Sequence, residues 1–497
     1  MSVFLGIDIG TSGSRALVVD DDGRIIASAT SAHEPFRSPG PAWAEQDAPD
    51  WWRAAVDAVK QVLASGVSAK DIQCIGLSGQ MHGAVLLDAH GEPLRPSIIW
   101  CDQRTAEECR WLDREIGPAR LLELTSNPAL TNFTLTKLLW VRTHEPEVWK
   151  RVRHVLLPKD YVRYKLSGAF AIDVADASGT LMLDVAKRAW SKEMLDASGI
   201  SQDLLPLVLE SPAVSAHVSA EAAALTGLVA GTPIVAGAGD QAAGAVGMGI
   251  TRPGTVSVTI GTSGVVFAAT EKPALDRKGR IHTFCHAIPG RWHVMGVTQA
   301  AGLSLRWIRD QWQFGGGDDA YRKMTEEAAA VPAGSDGVLW APYLMGERTP
   351  HVDPDVRGAL LGLAASHTRG HVVRAVLEGV AFSQRDSFEI FEELGVPAKK
   401  VRVGGGGARS ALWREIQATV YGQPVENLVA EEGAAYGAAL LAGVGAGVWP
   451  SVDAACDVAV KVAGVTPPVE SARAVIGTRY QQYRRVYPAI SGVYRTS

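Results

Sequence analysis

The chain opens with short apolar runs bounded by turn residues. Val3–Ile9, Arg15–Val19 and Ile25–Ala29 read as three consecutive strands, and DDDG at Asp20–Gly23 makes the tight turn before the third. Ile72–Leu77 and Ala84–Leu87 are two more, separated by the polar turn SGQMHG. Pro233–Ala236, Thr255–Ile260, Gly264–Ala268 and Val401–Val403 continue the series. Elsewhere the apolar spacing is helical: Asp50–Ser65, with Asp50 suited to cap its start, then His371–Leu394 and Ala411–Tyr421. Interleaved strands and helices predict an α/β class. The longest apolar stretch, Gly433–Trp449, is rich in glycine and alanine and short for a membrane span, so it predicts a buried helix and its exit.

One string occurs twice, IGTSG at Ile9–Gly13 and again at Ile260–Gly264, each time between two predicted strands. The copies lie about half of the 497-residue chain apart, far beyond the roughly 20–50-residue period of a solenoid. The repeat predicts two like domains, residues 1–245 and 246–497, each opening with the same hairpin. The boundary is set among the glycines of Gly244–Gly254, which also suit a hinge.

Composition narrows the possible functions. A chain 47% hydrophobic and 20% charged is ordinary for a globular protein with sizeable cores. A net charge of −5 gives no footprint for nucleic acid or an anionic membrane, so neither is expected as a partner. The first apolar residues belong to a strand and not to a signal peptide. Five scattered cysteines without a CxxC pair favour reduced thiols and a cytoplasmic location.

A Gly-Thr-Ser-Gly turn gathers backbone N–H groups and two hydroxyls in one concavity, which suits an anion. A plain hairpin explains one such turn; two in equivalent halves suggest a cleft that clasps a nucleoside triphosphate from both sides. Only the first copy carries a carboxylate, Asp8, within its leading strand. Beside a phosphate cradle that carboxylate can hold Mg²⁺, directly or through water. Asp240, in GAGDQAAGAVG, has almost only glycine and alanine around it, so it faces a cleft or opens a helix. There it could take a proton from an attacking hydroxyl. No GxxxxGK[ST] or protein-kinase motif is present. VGGGGARSALW at Val403–Trp413 reads as strand, glycine turn and helix, suited to the adenosine end of ATP. His282 and His286 are expected to be structural.

Taken in order, DIGTSG, SGQMHG, WCDQR at Trp100–Arg104, GAGDQAAGAVG, the second IGTSG, GERTPH at Gly346–His351 and GGGGARSALW resemble the FGGY carbohydrate kinases. Gly358–Glu378 is similar to that family's C-terminal signature and Asn132–Glu145 to its N-terminal one, although Asn132 departs from the usual smaller or aromatic residue. The resemblance implies two ribonuclease H-like, actin-like domains with the catalytic cleft between them. It also implies transfer of the γ-phosphoryl group of ATP to a sugar hydroxyl. MHG, LLPKDY at Leu156–Tyr161 and the aspartate motif point within the family to a pentulose, D-xylulose, phosphorylated on its 5-hydroxyl.

Carried over by motif, Asp240 is the catalytic base and Asp8 the catalytic carboxylate near Mg²⁺. Met81, His82, Trp100, Asp102, Arg104, Asp240 and Gln241 fall on the sugar side; Gln241 stands where many such kinases carry asparagine. Gly10, Thr11, Ser12, Gly261 and Thr262 fall on the phosphate loops, with Gly302, Gly405, Gly406 and Gly407 on the nucleotide side. The family often forms homodimers, which stands as an expectation here. Ribulose, L-xylulose or a polyol such as erythritol remains a competing substrate. An actin-like ATPase without a sugar would have no use for SGQMHG or WCDQR.

Overall fold

The computed structural model describes residues 2–430 and 432–494. Two seven-stranded sheets form its centre. In the first, Val3–Ile9 pairs antiparallel with Gly13–Asp20, and that strand with Ile25–Ala32. On its other side Val3–Ile9 runs parallel to Ile72–Gly79, beyond which lie Pro233–Val235 and Val214–His217. Ala238–Gly239 also joins Ile72–Gly79. The second sheet repeats this path. Gly254–Ile260 pairs antiparallel with Gly264–Thr270, then comes Trp292–Thr298, while Ala398–Gly405 and Val425–Leu428 run parallel on the other side. His282–Cys285 and Val462–Thr466 form its two edges.

The parallel registers match, while the hairpin registers differ by one residue. Ile9 faces Ser14 and Gly79, and Ile260 faces Gly264 and Gly405. Each IGTSG turn therefore stands beside a second glycine-bearing turn at the end of its parallel neighbour. Both leading strands are largely buried; the first, VFLGIDI, reads as a nearly continuous apolar run, while the second, GTVSVTI, alternates valine and isoleucine with threonine and serine.

Helix Ala48–Ala64 covers the first sheet with Trp51, Ala55, Ala58, Val59 and Val62. It starts earlier than expected. Asp47 is the N-cap residue and Pro49 sits in the first turn, whereas the Asp50 carboxylate accepts from the Glu34 N–H and from Arg53. The long helix runs over Arg369–Glu393 and is closed at its start by a reciprocal bond pair between Thr368 and His371. Gly433–Gly445 is the expected buried helix.

That helix, from the second half of the chain, seals the other face of the first sheet. A Cβ on Gly6 would lie 2.0 Å from the Ala435 carbonyl oxygen, and one on Gly76 1.9 Å from that of Ala438. A Cβ on Gly437 would meet the Ala243 carbonyl at 1.8 Å, so the same helix also clasps Asp240–Gly247. Gly244 and Gly247 are thus helical positions; Gly247 lies against Gly433 and Gly437. The turns into the second sheet use Gly249 and Gly254, at φ 66° and 95°. Among the described residues no helix is long and apolar enough to cross a membrane, and all five cysteines are free.

Candidate active site in the cleft between the sheets

Asp8 stands near the end of the first strand and Asp240 is the first residue of helix Asp240–Gly247, with Gly239 as its N-cap. Both line one cavity of about 320 Å³, together with Gln241 from the first half and Thr259, Gly405 and Ala430 from the second. Burial pushes the Asp240 carboxyl up to about 7, helped by the like charge of Asp8 and opposed by the Gln241 N–H. Burial raises Asp8 to about 6, with Ser78 on the neighbouring strand and Arg15 pulling the other way. Oδ1 of Asp8 is buried without a hydrogen-bond partner among the described residues. An orphaned carboxylate oxygen of this kind fits a hard cation that takes oxygen ligands and keeps its waters.

A second cavity of about 700 Å³ opens in the second half. Gly261, Thr262, Gly302, Gly406 and Gly407 line it beside Tyr321. Gly302 donates its N–H to the Gly261 carbonyl, and a Cβ there would lie 2.3 Å from that oxygen. The predicted glycine turn is in detail a strand ending at Gly405, a short helical turn Gly406–Arg409, and the helix Ala411–Tyr421 capped by Ser410. The N–H groups of that turn and the apolar wall beside it can receive phosphates and a purine.

The first IGTSG turn is tied to the sugar-side segments. Gly10 donates to the Gly13 carbonyl, the exposed Ser12 accepts the His33 N–H on its carbonyl, and Gln46 bonds the Thr11 carbonyl. The Trp100 indole donates to the Thr11 hydroxyl, which in turn faces Gln80. Gln80 also donates to Gln46 and to the Gly10 carbonyl, so it braces the turn from within SGQMHG. Sequence reasoning passed over Gln80 although it lies in a quoted motif.

His82 sits at φ 68° and its Nδ1 donates to the Gly179 carbonyl at 2.6 Å. Burial and the nearby Lys137 ammonium hold its pKa well below the usual histidine value, so the ring is neutral and Nε2 is an acceptor. The ring is not free of apolar neighbours, since Phe133 packs edge-on at 5.1 Å. Met81 lies against Gly239, immediately before Asp240.

Asp102 and Arg104 are occupied with each other. Arg104 makes a bidentate pair with the fully buried Asp102, reaches Glu45 at 2.7 Å and stacks over Trp43 at 3.8 Å. Asp102 also accepts the Ala44 and Arg104 N–H groups. The pair anchors the loop that presents Trp100. His282 bonds Asn127 and His286 bonds the Ile250 carbonyl, both buried, as structural residues do.

Two sheets of one topology, a glycine turn on each, and a pair of acids between them define a two-domain α/β phosphotransferase of the ribonuclease H-like, actin-like type. Residues 3–247 match the N-terminal domain of the FGGY family of carbohydrate kinases and residues 256–446 its C-terminal domain. The chain belongs to that family. It is 38% identical over 488 residues to the xylulose kinase of Bacillus subtilis (strain 168), covering 98% of this chain and 97% of that one. It is 40% identical over 445 residues to the xylulose kinase of Escherichia coli (strain K12), covering 89% and 90%. A crystal structure described as a xyloylose kinase from Brucella ovis superposes with a TM-score of 0.92 at 36% identity, covering 99% of this chain and 100% of that one.

Proposed function

We propose that this protein is an ATP-dependent xylulose kinase that converts D-xylulose into D-xylulose 5-phosphate. The carrying observation is Asp240, a carboxyl raised to about 7 that opens a helix in a cavity shared with Asp8. At neutral pH an appreciable fraction is ionised and able to accept a proton from the sugar 5-hydroxyl, whose oxygen attacks the γ-phosphorus of ATP as ADP leaves. Met81 packs against the carbon skeleton, Nε2 of His82 accepts from a hydroxyl, and Trp100 and Gln241 complete the sugar side. Asp102 and Arg104 hold the Trp100 loop.

On this reading Gly10–Ser12 and Gly261–Thr262 flank the phosphates, while Gly302 and Gly405–Gly407 receive the rest of the nucleotide. Asp8 holds Mg²⁺, which would neutralise charge on the phosphates when bound. The same reading divides the chain near residue 245, sugar grip in the first half and nucleotide cavity in the second. The segment between Gly247 and the strand from Gly254 supports that division. Five free thiols support a cytoplasmic location.

The decisive experiment is coupled ADP release over D-xylulose, ribulose, L-xylulose, erythritol and gluconate. D-xylulose is expected to give the highest kcat/KM. A higher value for another sugar moves the substrate and leaves the chemistry in place, whereas no ADP release with any sugar defeats the kinase reading.

A further inference from the structure

Four glycines mark where the sugar end of the cleft rests on the elements behind it. A Cβ on Gly79 would lie 3.1 Å from Cβ of Lys159, and one on Gly83 2.7 Å from Cγ of Pro158. One on Gly179 would lie 2.9 Å from both Met81 and His82. One on Gly239 would lie 2.8 Å from Cγ of Met81 and 3.1 Å from Oδ1 of Asp176. Gly79 and Gly83 bracket the Gln80–His82 turn, and Gly239 precedes Asp240. The sugar grip and the base are therefore both seated on the helices Pro158–Ser167 and Val174–Ser178.

Those helices are joined by a buried ion cluster. Nζ of Lys159 lies 2.6 Å from Asp160, 2.6 Å from Asp173 and 3.3 Å from Asp176, and Arg163 lies 3.0 Å from Asp160. All five side chains are inaccessible to solvent. Asp173 also caps its helix by accepting from Ala175 and Asp176. Two cations face three acids, so one carboxyl must keep its proton to avoid a net buried charge. Asp176 is the one farthest from the ammonium: its Oδ2 meets only Lys159, at 3.3 Å, and its Oδ1 has no hydrogen-bond partner among the described residues. Burial pushes its pKa well above the usual carboxyl value. That costly carboxyl stands beside the residue before the base.

We infer that Asp176, held by Lys159 beside Gly239, is a positioning residue that sets where Asp240 meets the sugar hydroxyl. The inference rests on the reading of Asp240 as the base. It acts through shape: removing the carboxyl opens space beside Gly239 and lets the start of the Asp240 helix drift.

Asp176→Ala tests this. Turnover with sugar is expected to fall about 10- to 100-fold, the usual cost of misplacing a catalytic group by about an ångström. KM for ATP and the slow sugar-independent hydrolysis of ATP are expected to stay within about twofold, because the nucleotide side is untouched. Asp176→Asn keeps the shape and is expected to retain at least about a third of the turnover. An alanine variant with undiminished turnover overturns the inference; so does one in which turnover and ATP KM deteriorate together, the mark of a fold defect. Should the alanine variant not fold, Gly239→Ala presses on the same contact from the other side, and unchanged turnover there is equally fatal. All variants are compared on whichever sugar the wild type phosphorylates, so a wrong substrate leaves the comparison intact. Undiminished turnover in Asp240→Asn would instead defeat the reading on which it rests.

Discussion

Trp100 and Thr11 are joined by a 2.9 Å hydrogen bond from the indole Nε1 to the threonine hydroxyl. The bond links the WCDQR loop, anchored by the Asp102–Arg104 pair, to the first glycine turn. What holds the sugar-side loop thus also holds a phosphate-side turn.

Trp100→Phe keeps an aromatic ring, though a smaller one, and removes the donor. The loss of one such bond costs about 0.5–1.5 kcal/mol, so kcat/KM for the sugar is expected to fall about 2- to 12-fold. Steady-state kinetics with sugar and ATP varied in turn check it. No change in either constant would show that the Thr11 hydroxyl does not need the indole.

Asp240→Asn is expected to lower kcat by about 10²–10⁴-fold, the worth of a positioned base. Nucleotide binding is expected to persist, because the Gly261–Thr262 and Gly406–Gly407 cavity does not include Asp240. Calorimetric titration with ADP measures that separately from turnover. More than about a tenth of wild-type turnover would remove Asp240 from the chemistry.

The pH profile carries a signed expectation. Asp240 at about 7 and Asp8 at about 6 share one cavity and titrate as a pair. The base acts only when ionised, so kcat/KM is expected to rise with pH with its midpoint near 7. An acid limb centred near the ordinary carboxylate range of about 4 would show that burial does not tune the pair.

Much of this was legible in the residues. The doubled IGTSG announces the doubled sheet because each copy follows an apolar strand and precedes another. Val3–Ile9 and Ala411–Tyr421 were read with their observed bounds for the same local reasons. Asp50 misled because several acidic residues near a helix start look alike in sequence, and only the path of the chain makes Asp47 the cap residue. The glycines of Gly244–Gly254 read as suited to a hinge, and sequence alone does not show that Gly247 also meets Gly437 at the close crossing of two helices far apart in sequence. Lys159, Asp173 and Asp176 were illegible as a unit, since they are drawn from two helices and the strand end between them. Asp102 and Arg104 had the right neighbourhood, but sequence could not show that each would occupy the other's polar atoms.

His82→Ala is expected to raise KM for the sugar by roughly 5- to 150-fold while KM for ATP stays within about twofold. Nδ1 is committed to the Gly179 carbonyl, which leaves Nε2 as the atom a sugar hydroxyl can reach. The same ring packs on Phe133, so some loss of stability is also expected. A joint rise of both KM values would assign His82 to the fold and not to the sugar.

His293 offers a stability test away from the chemistry. Neither buried ring nitrogen makes a well-formed hydrogen bond among the described residues, although the Cys285 backbone lies close, and the ring stacks on Phe267 at 4.2 Å. Burial, with the neighbouring His286 and His282, holds its pKa well below the usual histidine value. The unfolded chain therefore takes up a proton near pH 6.5 that the folded protein refuses. The stability this neutral ring permits is present above about pH 6.5 and drains away as pH falls below it. Phenylalanine fills nearly the same volume with no unsatisfied nitrogen and no proton to bind. His293→Phe is expected to raise Tm at neutral pH, since a buried unpaired polar group costs about 1–3 kcal/mol. Its advantage over the wild type is expected to widen between about pH 6.5 and 4.5, where only the wild type's unfolded state gains that proton. Melting curves of both proteins across that range measure the difference directly. An advantage that stays flat with pH would mean that His293 is charged in the folded protein or already neutralised in the unfolded one.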